Sequence, residues 1–316
     1  MAKKLAIVLS GGGAKGAFQV GVLDALITTH GVKPAIAVGT STGAIQALGV
    51  AQDDIAGLLK VWTGIKGNSD IYTDRSGLLG TVIFGGKGLH NTAPLRKLLK
   101  NFADPAKLAA SNVNLQLGVV NLQSGEFRTI DKSAPYIHDW VYASCAMPVF
   151  FDPLETTDKQ QWVDGGVKEV TPLGAAMELN PSTILVIRAS PVSKLATTKK
   201  FGGLIPIGLR SVNILQAEVS RNDIANTGLI NDLIAARKAM LAQLLATGIS
   251  GAAASKLLLP LDTQIAKYRF VPVKVIEPTE DFSDTLEFNP TKIARAINAG
   301  RAMVNDNWAE IEAFIG

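Results

Sequence analysis

Cys145 is the only cysteine in 316 residues. No internal disulfide can form, and no multi-thiolate zinc site can be built. Histidine is nearly as scarce. His30, His90 and His138 lie far apart and show no metal-ligand spacing, so neither a metal nor another cofactor is expected. Charged residues make up only 18% of the chain against 47% hydrophobic. That balance excludes a disordered chain and supplies enough apolar surface for a sizeable core. The net charge of +4 is dispersed rather than gathered in a patch, and no nucleic-acid partner is expected from it.

Long apolar runs are missing as well. The run at residues 5–9 has five members and leads into a glycine cluster with Lys15, whereas a secretory signal needs an apolar stretch of roughly 7–15. Residues 34–52 and 239–255 are the most apolar of the long uncharged stretches, but Gly, Thr, Ser and Gln interrupt them. A membrane-spanning helix needs about 20 mostly apolar residues. The expectation is therefore a chain with no signal peptide and no transmembrane helix, located in the cytoplasm.

What is present is punctuation by glycine between short apolar segments. Residues 5–9 read as a strand buried on both faces. Phe18, Val22, Leu23, Leu26 and Ile27 recur at helical spacing across residues 16–29, and Gly31 supplies a stop. Residues 36–38 form a second strand, cut by a sharp turn, and residues 44–50 resume as a buried helix. Strand, glycine turn, helix, strand, turn, helix is the order of an α/β fold with a parallel sheet. Further strands are expected at 114–120 and 126–130 (a hairpin), 161–163, 183–187 and 270–276. Helices are expected at 137–144, across 211–246, and as one closing amphipathic helix at 291–314. Residues 194–206, rich in Thr, Lys, Gly and Pro, are the best candidate for a mobile loop. No repeat or linker divides the chain. It reads as one domain over 1–316, with a core of about 5–190 plus 270–316 and inserted helices at about 201–261 that form a cap.

Two glycine-bracketed motifs carry chemistry. Gly39-Thr40-Ser41-Thr42-Gly43 follows a strand and precedes a helix, the context of a nucleophile elbow that exposes a serine hydroxyl over a helix N-terminus. A serine needs a base, because its hydroxyl is scarcely ionised at neutral pH. None of the three histidines has a catalytic setting; His30, for instance, sits at a helix end beside Gly31. A carboxylate is the remaining choice, and Asp164 stands at a strand end in Asp164-Gly165-Gly166, with an ordinary Asp-Gly turn as the plainer alternative. Gly11-Gly12-Gly13-Ala14-Lys15-Gly16 has the spacing of a dinucleotide-binding loop but lacks the acidic residue expected about 20 positions on. Its backbone N–H groups remain available to an anion, including the transient oxyanion of an ester under attack. Lys15 is placed to brace this loop, with a simply solvated lysine as the plainer alternative.

In chain order, the glycine loop (residues 11–16), the elbow (39–43) and the turn (164–166) resemble the motifs of the patatin-like phospholipases. The segments at 143–150, 88–95 and 284–288 resemble further blocks of that family, and the likeness of the core covers about residues 5–190. The resemblance implies a three-layer α/β/α fold with a mainly parallel sheet. It also implies a lipid acyl hydrolase working by a Ser–Asp dyad through an acyl-serine intermediate, of phospholipase A or lysophospholipase type. Ser41 would be the nucleophile and Asp164 the base, with Gly11, Gly12, Gly13 and Thr42 as oxyanion donors. Lys15, Gly16, Gly39, Gly43, Gly165 and Gly166 would support the motifs. Substrates would be phospholipids, lysophospholipids or other acyl esters, reached by peripheral contact with a membrane. The apolar stretches 239–246 and 257–261 could line the acyl groove or touch a lipid surface, against plain helix packing. Cys145 reads as a small buried residue. Two other readings stay open: an acyltransferase using the same elbow, disfavoured because Thr40 stands where that class has histidine, and a non-catalytic nucleotide-binding module.

Overall fold

Strands form where β-branched and leucine side chains run without polar alternation, because such segments can be buried on both faces. The computed structural model describes residues 4–75, 87–191 and 196–316. Its strands are β1 (Leu5–Leu9), β2 (Ile36–Thr40), β3 (Thr73–Asp74), β4 (His90–Asn91), β5 (Asn114–Asn121), β6 (Phe127–Asp131), β7 (Leu154–Glu155), β8 (Gln161–Asp164), β9 (Thr183–Ile187) and β10 (Val273–Ile276). β3 and β4 pair with each other. The others build one sheet in the order β10-β9-β1-β2-β5-β8-β7, with β6 also paired to β5. From β10 to β5 every pairing is parallel, while β6, β7 and β8 join antiparallel.

Alternate residues of β1 serve opposite faces. Leu5, Ile7 and Leu9 join the larger core cluster, and Ala6 and Val8 the smaller one. Helices Ala17–Leu23, Thr42–Ala51, Ile137–Cys145 and Pro290–Asp306 cover the first face, contributing Phe18, Leu48, Val141 and Ile297 among others. Helix Leu173–Glu178 covers the second, together with Ile224 of a long helix, Leu204–Ala246. The result is the three-layer α/β/α arrangement expected from the order of elements.

Two helices differ from their expected form. The stretch 16–29 opens as a 3-10 turn (Gly13–Gly16), continues as an α-helix and ends as a π-helical segment (Asp24–Thr29). The closing helix is divided into Pro290–Asp306 and Trp308–Ile315. Asn307 causes the break: its side-chain amide donates to the Met303 carbonyl at 2.8 Å, the local competition that makes Asn a poor residue inside helices.

Of the stretch 194–206, residues 194 and 195 lie outside the described residues, and residues 196–203 carry no helix or strand before the helix begins at Leu204. The first two-thirds of that 43-residue helix is tied to the body. The Ser220 and Thr171 hydroxyls are 2.6 Å apart, Asp223 accepts from the Thr171 N–H, and Asn231 bonds both backbone groups of Val271. Its last third runs against helix Gly251–Ile265 and is held there by the Arg237–Asp262 ion pair. Among the described residues no helix is long and apolar enough to cross a membrane.

Candidate active site

The parallel strands end at one edge of the sheet, where open α/β folds bind ligands. Register decides which residues meet there. The last residue of β2, Thr40, pairs with Gly118 of β5, and the next residue of β5, Val119, pairs with Asp164 of β8. β8 takes up β5 where β2 leaves it, so Ser41 and Asp164 become neighbours although 122 residues lie between them in the chain.

Ser41 sits at φ 57° and ψ −130°, between β2 and helix Thr42–Ala51. A non-glycine residue in such a conformation costs about 1–3 kcal/mol and persists only where its surroundings hold it. The flanking glycines permit the turn: a Cβ on Gly39 would lie 2.1 Å from the Gly43 carbonyl oxygen, and one on Gly43 2.2 Å from that of Leu9. Helix Ile137–Cys145 then fixes the Ser41 peptide from both sides. Ser41 donates its N–H to Ser144 Oγ at 2.9 Å, and that hydroxyl donates onward to the Gly118 carbonyl at 2.6 Å. The Cys145 thiol donates to the Ser41 carbonyl at 3.1 Å. Cys145 is buried, as expected, but also holds the turn; Ser144 carries no motif of its own, and the resemblance of 143–150 to a family block is its one signal in the sequence. Burial pushes the Cys145 thiol well above its ordinary pKa, so it offers no competing thiolate.

Asp164 is 1% exposed. Its Oδ1 accepts from the Gly166 N–H at 2.7 Å, the bond that shapes the Asp164-Gly165-Gly166 turn. Loss of hydration raises its pKa to about 7, against the smaller opposing effects of the Ser41 hydroxyl and the Gly166 N–H. The histidines are elsewhere. His30 stacks on Trp308 at 3.8 Å, His90 packs on Tyr72 with Nδ1 2.8 Å from Asp74, and His138 lies beside Asp139. Asp164 and Cys145 are the titratable side chains lining the cavity above Ser41.

The glycine loop follows β1 to the same edge. Its amides do not all face the cavity, which corrects one expectation: Gly11 donates its N–H to the Val170 carbonyl at 3.0 Å. That bond continues the hydrogen bonding of the strand end and occupies the donor. The N–H groups of Gly12, Gly13 and Thr42 have no acceptor among the described residues, and all three residues line the cavity. Thr42 is the first residue of its helix, where an N–H has no partner within the helix. Gly13 adopts φ +58°, and a Cβ there would lie 2.1 Å from the Thr285 carbonyl oxygen, which accepts from Ala14. Lys15 anchors the loop through an ion pair with Asp281 at 3.1 Å. Gly16 packs against Thr42, and Gly165 against the Gly118 carbonyl.

Beyond Ser41 the cavity is apolar, walled by Ile45, Trp62, Ile71, Leu95, Phe151 and Phe288 among others. Residues 239–246 and 257–261 take no part in it, because they belong to the far portion of the helical pair. Gln216 and Thr285 complete its polar end; Thr285 belongs to the segment 284–288 that resembles a family block, whereas Gln216 carries no motif and only the fold brings it there. Among the described residues no cluster of His, Cys, Asp or Glu has the arrangement to hold a metal.

Comparison with known proteins agrees with the fold. The structure of VipD from Legionella pneumophila is similar, with a TM-score of 0.52 and 17% sequence identity over 98% of this chain and 67% of VipD. At that identity the likeness concerns the fold. Residues 7–177 match the family Patatin, described as patatin-like phospholipase. With more than half of its length matched, the chain belongs to the patatin-like phospholipase family, whose activity is the hydrolysis of lipid acyl esters.

Proposed function

We propose that the chain is a serine esterase that cleaves a lipid carboxylic ester with Ser41 as nucleophile and Asp164 as its general base. The observation that carries this reading is the pairing of Ser41 with a fully buried carboxyl at the polar end of an apolar cavity. Asp164 takes the Ser41 proton as Oγ attacks the carbonyl carbon. The negative charge moves to the carbonyl oxygen, where the Gly12, Gly13 and Thr42 N–H groups receive it. Collapse breaks the bond to the alcohol, which leaves with the proton from Asp164, and the acyl group stays on Ser41. Water then gives a proton to Asp164 and attacks the acyl-serine. Ser41 is expelled, recovers the proton, and the carboxylic acid is released.

A base with a pKa near the working pH combines a useful unprotonated fraction with real proton affinity. Each oxyanion donor contributes about 10²–10³ in rate in comparable enzymes. The acyl chain lies among Ile45, Trp62 and Phe288, which excludes water from one side of the reacting carbonyl. Exposed Val149, Val167 and Leu204 stand close in sequence to the cavity-lining segments or open the helix that bears Gln216. They support peripheral contact with a lipid surface from which the substrate is drawn. The test is labelling with a lipid-like fluorophosphonate and mapping of the modified residue. Ser41 should carry the label; a label on any other residue overturns the assignment.

A further inference from the structure

We propose that Val61, Ile65 and Leu98 form the end wall of the apolar cavity and set the longest acyl chain that the site accepts. The proposal rests on the esterase reading above and specifies it at the chain end remote from the ester. Helix Ile55–Gly64 buries Leu58 and Trp62, and helix Ala93–Phe102 buries Leu95, Leu99 and Phe102. Val61 and Leu98 stand beside those buried stripes and are half-buried. Ile65 lies one turn beyond Val61, just past the helix end, and is buried. The three side chains thus fill the seam where the two helices meet, at the margin of the core.

The two sides of this seam differ. Val61, Ile65 and Leu98 line the cavity that holds Ser41, and they also line a groove on the outer surface. Among the described residues no other lines both, so the partition between cavity and groove is one side chain thick. The polar end of the cavity lies elsewhere. Ser41, Asp164, Gln216 and Thr285 do not line the groove, and Gly12, Gln216 and Thr285 border a separate polar recess beside the glycine loop. An acyl chain attached at Ser41 therefore runs away from that recess and ends against the seam. Beyond the partition the lining changes to Lys60, Asp70, Lys97 and the Asp54–Lys107 ion pair. Each methylene taken out of water into the cavity favours the reaction about fourfold. A methylene pushed through the partition meets charged groups and solvent and gains none of this, and it must also displace packed side chains.

The experiment measures kcat/KM of the full chain on nitrophenyl esters of unbranched fatty acids of increasing length, each below its aggregation concentration. For the wild type the value should climb about fourfold per methylene and stop climbing at one length. Leu98→Ala shortens the wall side chain and should move that length up by about three methylenes, the carbons it removes. Val61→Phe should move it down. Lys97→Ala changes the groove side alone and should leave the length where it is. Circular dichroism reads folding; where Leu98→Ala does not fold, Val61→Ala decides, with a rise of about two methylenes expected. An unmoved length in folded Leu98→Ala or Val61→Ala, with Ser41 still labelled by fluorophosphonate, overturns the wall alone. A wild-type value that climbs through the whole series also overturns it. So does a shift in Lys97→Ala as large as that in Leu98→Ala, because general loosening of the helix would then set the length. An unlabelled Ser41 overturns the esterase reading and the wall with it.

Discussion

A carboxyl group buried as completely as that of Asp164, with no cation among the influences on its pKa, is a stronger base than a solvated aspartate. Its ordinary pKa of 3.8 rises to about 7, because burial outweighs the Ser41 and Gly166 hydrogen bonds. The proposed mechanism requires the unprotonated form. The logarithm of kcat/KM should therefore rise with unit slope to about pH 7 and level off above it, as a pH–rate profile would read. The stability consequence has the opposite sign. Between about pH 4 and pH 7 the folded protein holds a proton that the unfolded chain has lost. Folding stability therefore falls as pH rises through that window, by roughly 1.4 kcal/mol for each pH unit crossed. Asp164→Asn should abolish ester hydrolysis, and by denaturant titration it should flatten that decline and leave the protein at least as stable at pH 8. An asparagine that retains activity would exclude Asp164 as the base. His90, the buried histidine, has its pKa lowered by loss of hydration and stands away from the cavity, so it supplies no alternative base.

Among elements, the strained turn between β2 and helix Thr42–Ala51 depends on a helix that no motif search would connect to it. Ser144 receives the Ser41 N–H and donates its own proton to Gly118, linking three segments with one hydroxyl. Ser144→Ala leaves a buried N–H and a buried carbonyl unpaired. A loss of about 1–3 kcal/mol in stability is expected from the orphaned groups, with kcat reduced at least tenfold as the elbow loosens, and KM changed less. A variant with full kcat would show that the turn holds itself. Strands and the elbow were legible because residues 5–9, 36–38 and 183–187 are unbroken apolar runs bounded by glycine or polar residues. The division of the last helix at Asn307 was not, because one side-chain bond to Met303 competes with an otherwise continuous helical pattern. The π-helical end of the first helix was equally invisible to periodicity.

Across the whole molecule, the sheet edge gathers the ends of β1, β2, β8, β9 and β10, and with them the glycine loop, Ser41, Asp164, Arg188 and Glu277. The proposed contact with lipid is assigned to exposed apolar side chains close in sequence to the cavity-lining segments or at the start of the helix that bears Gln216. Replacing both Val149 and Leu204, 67% and 80% exposed, with Asp should weaken cosedimentation with phospholipid vesicles several-fold. Hydrolysis of a short soluble ester should stay within about twofold, since surface changes are usually within about 0.5 kcal/mol. Equal sedimentation of variant and wild type would place the lipid contact elsewhere.

The order of apolar runs and glycine turns by itself determined the layered α/β fold, the elbow at Ser41 and the turn at Asp164, because those features follow from local burial and backbone sterics. Only the tertiary structure decided that Gly11 donates to Val170, that Ser144 and Cys145 clamp the elbow, and that residues 62, 95, 151 and 288 wall the apolar cavity. Those choices depend on strand register and on which helix lies against which sheet face, contacts between distant positions that no local pattern encodes.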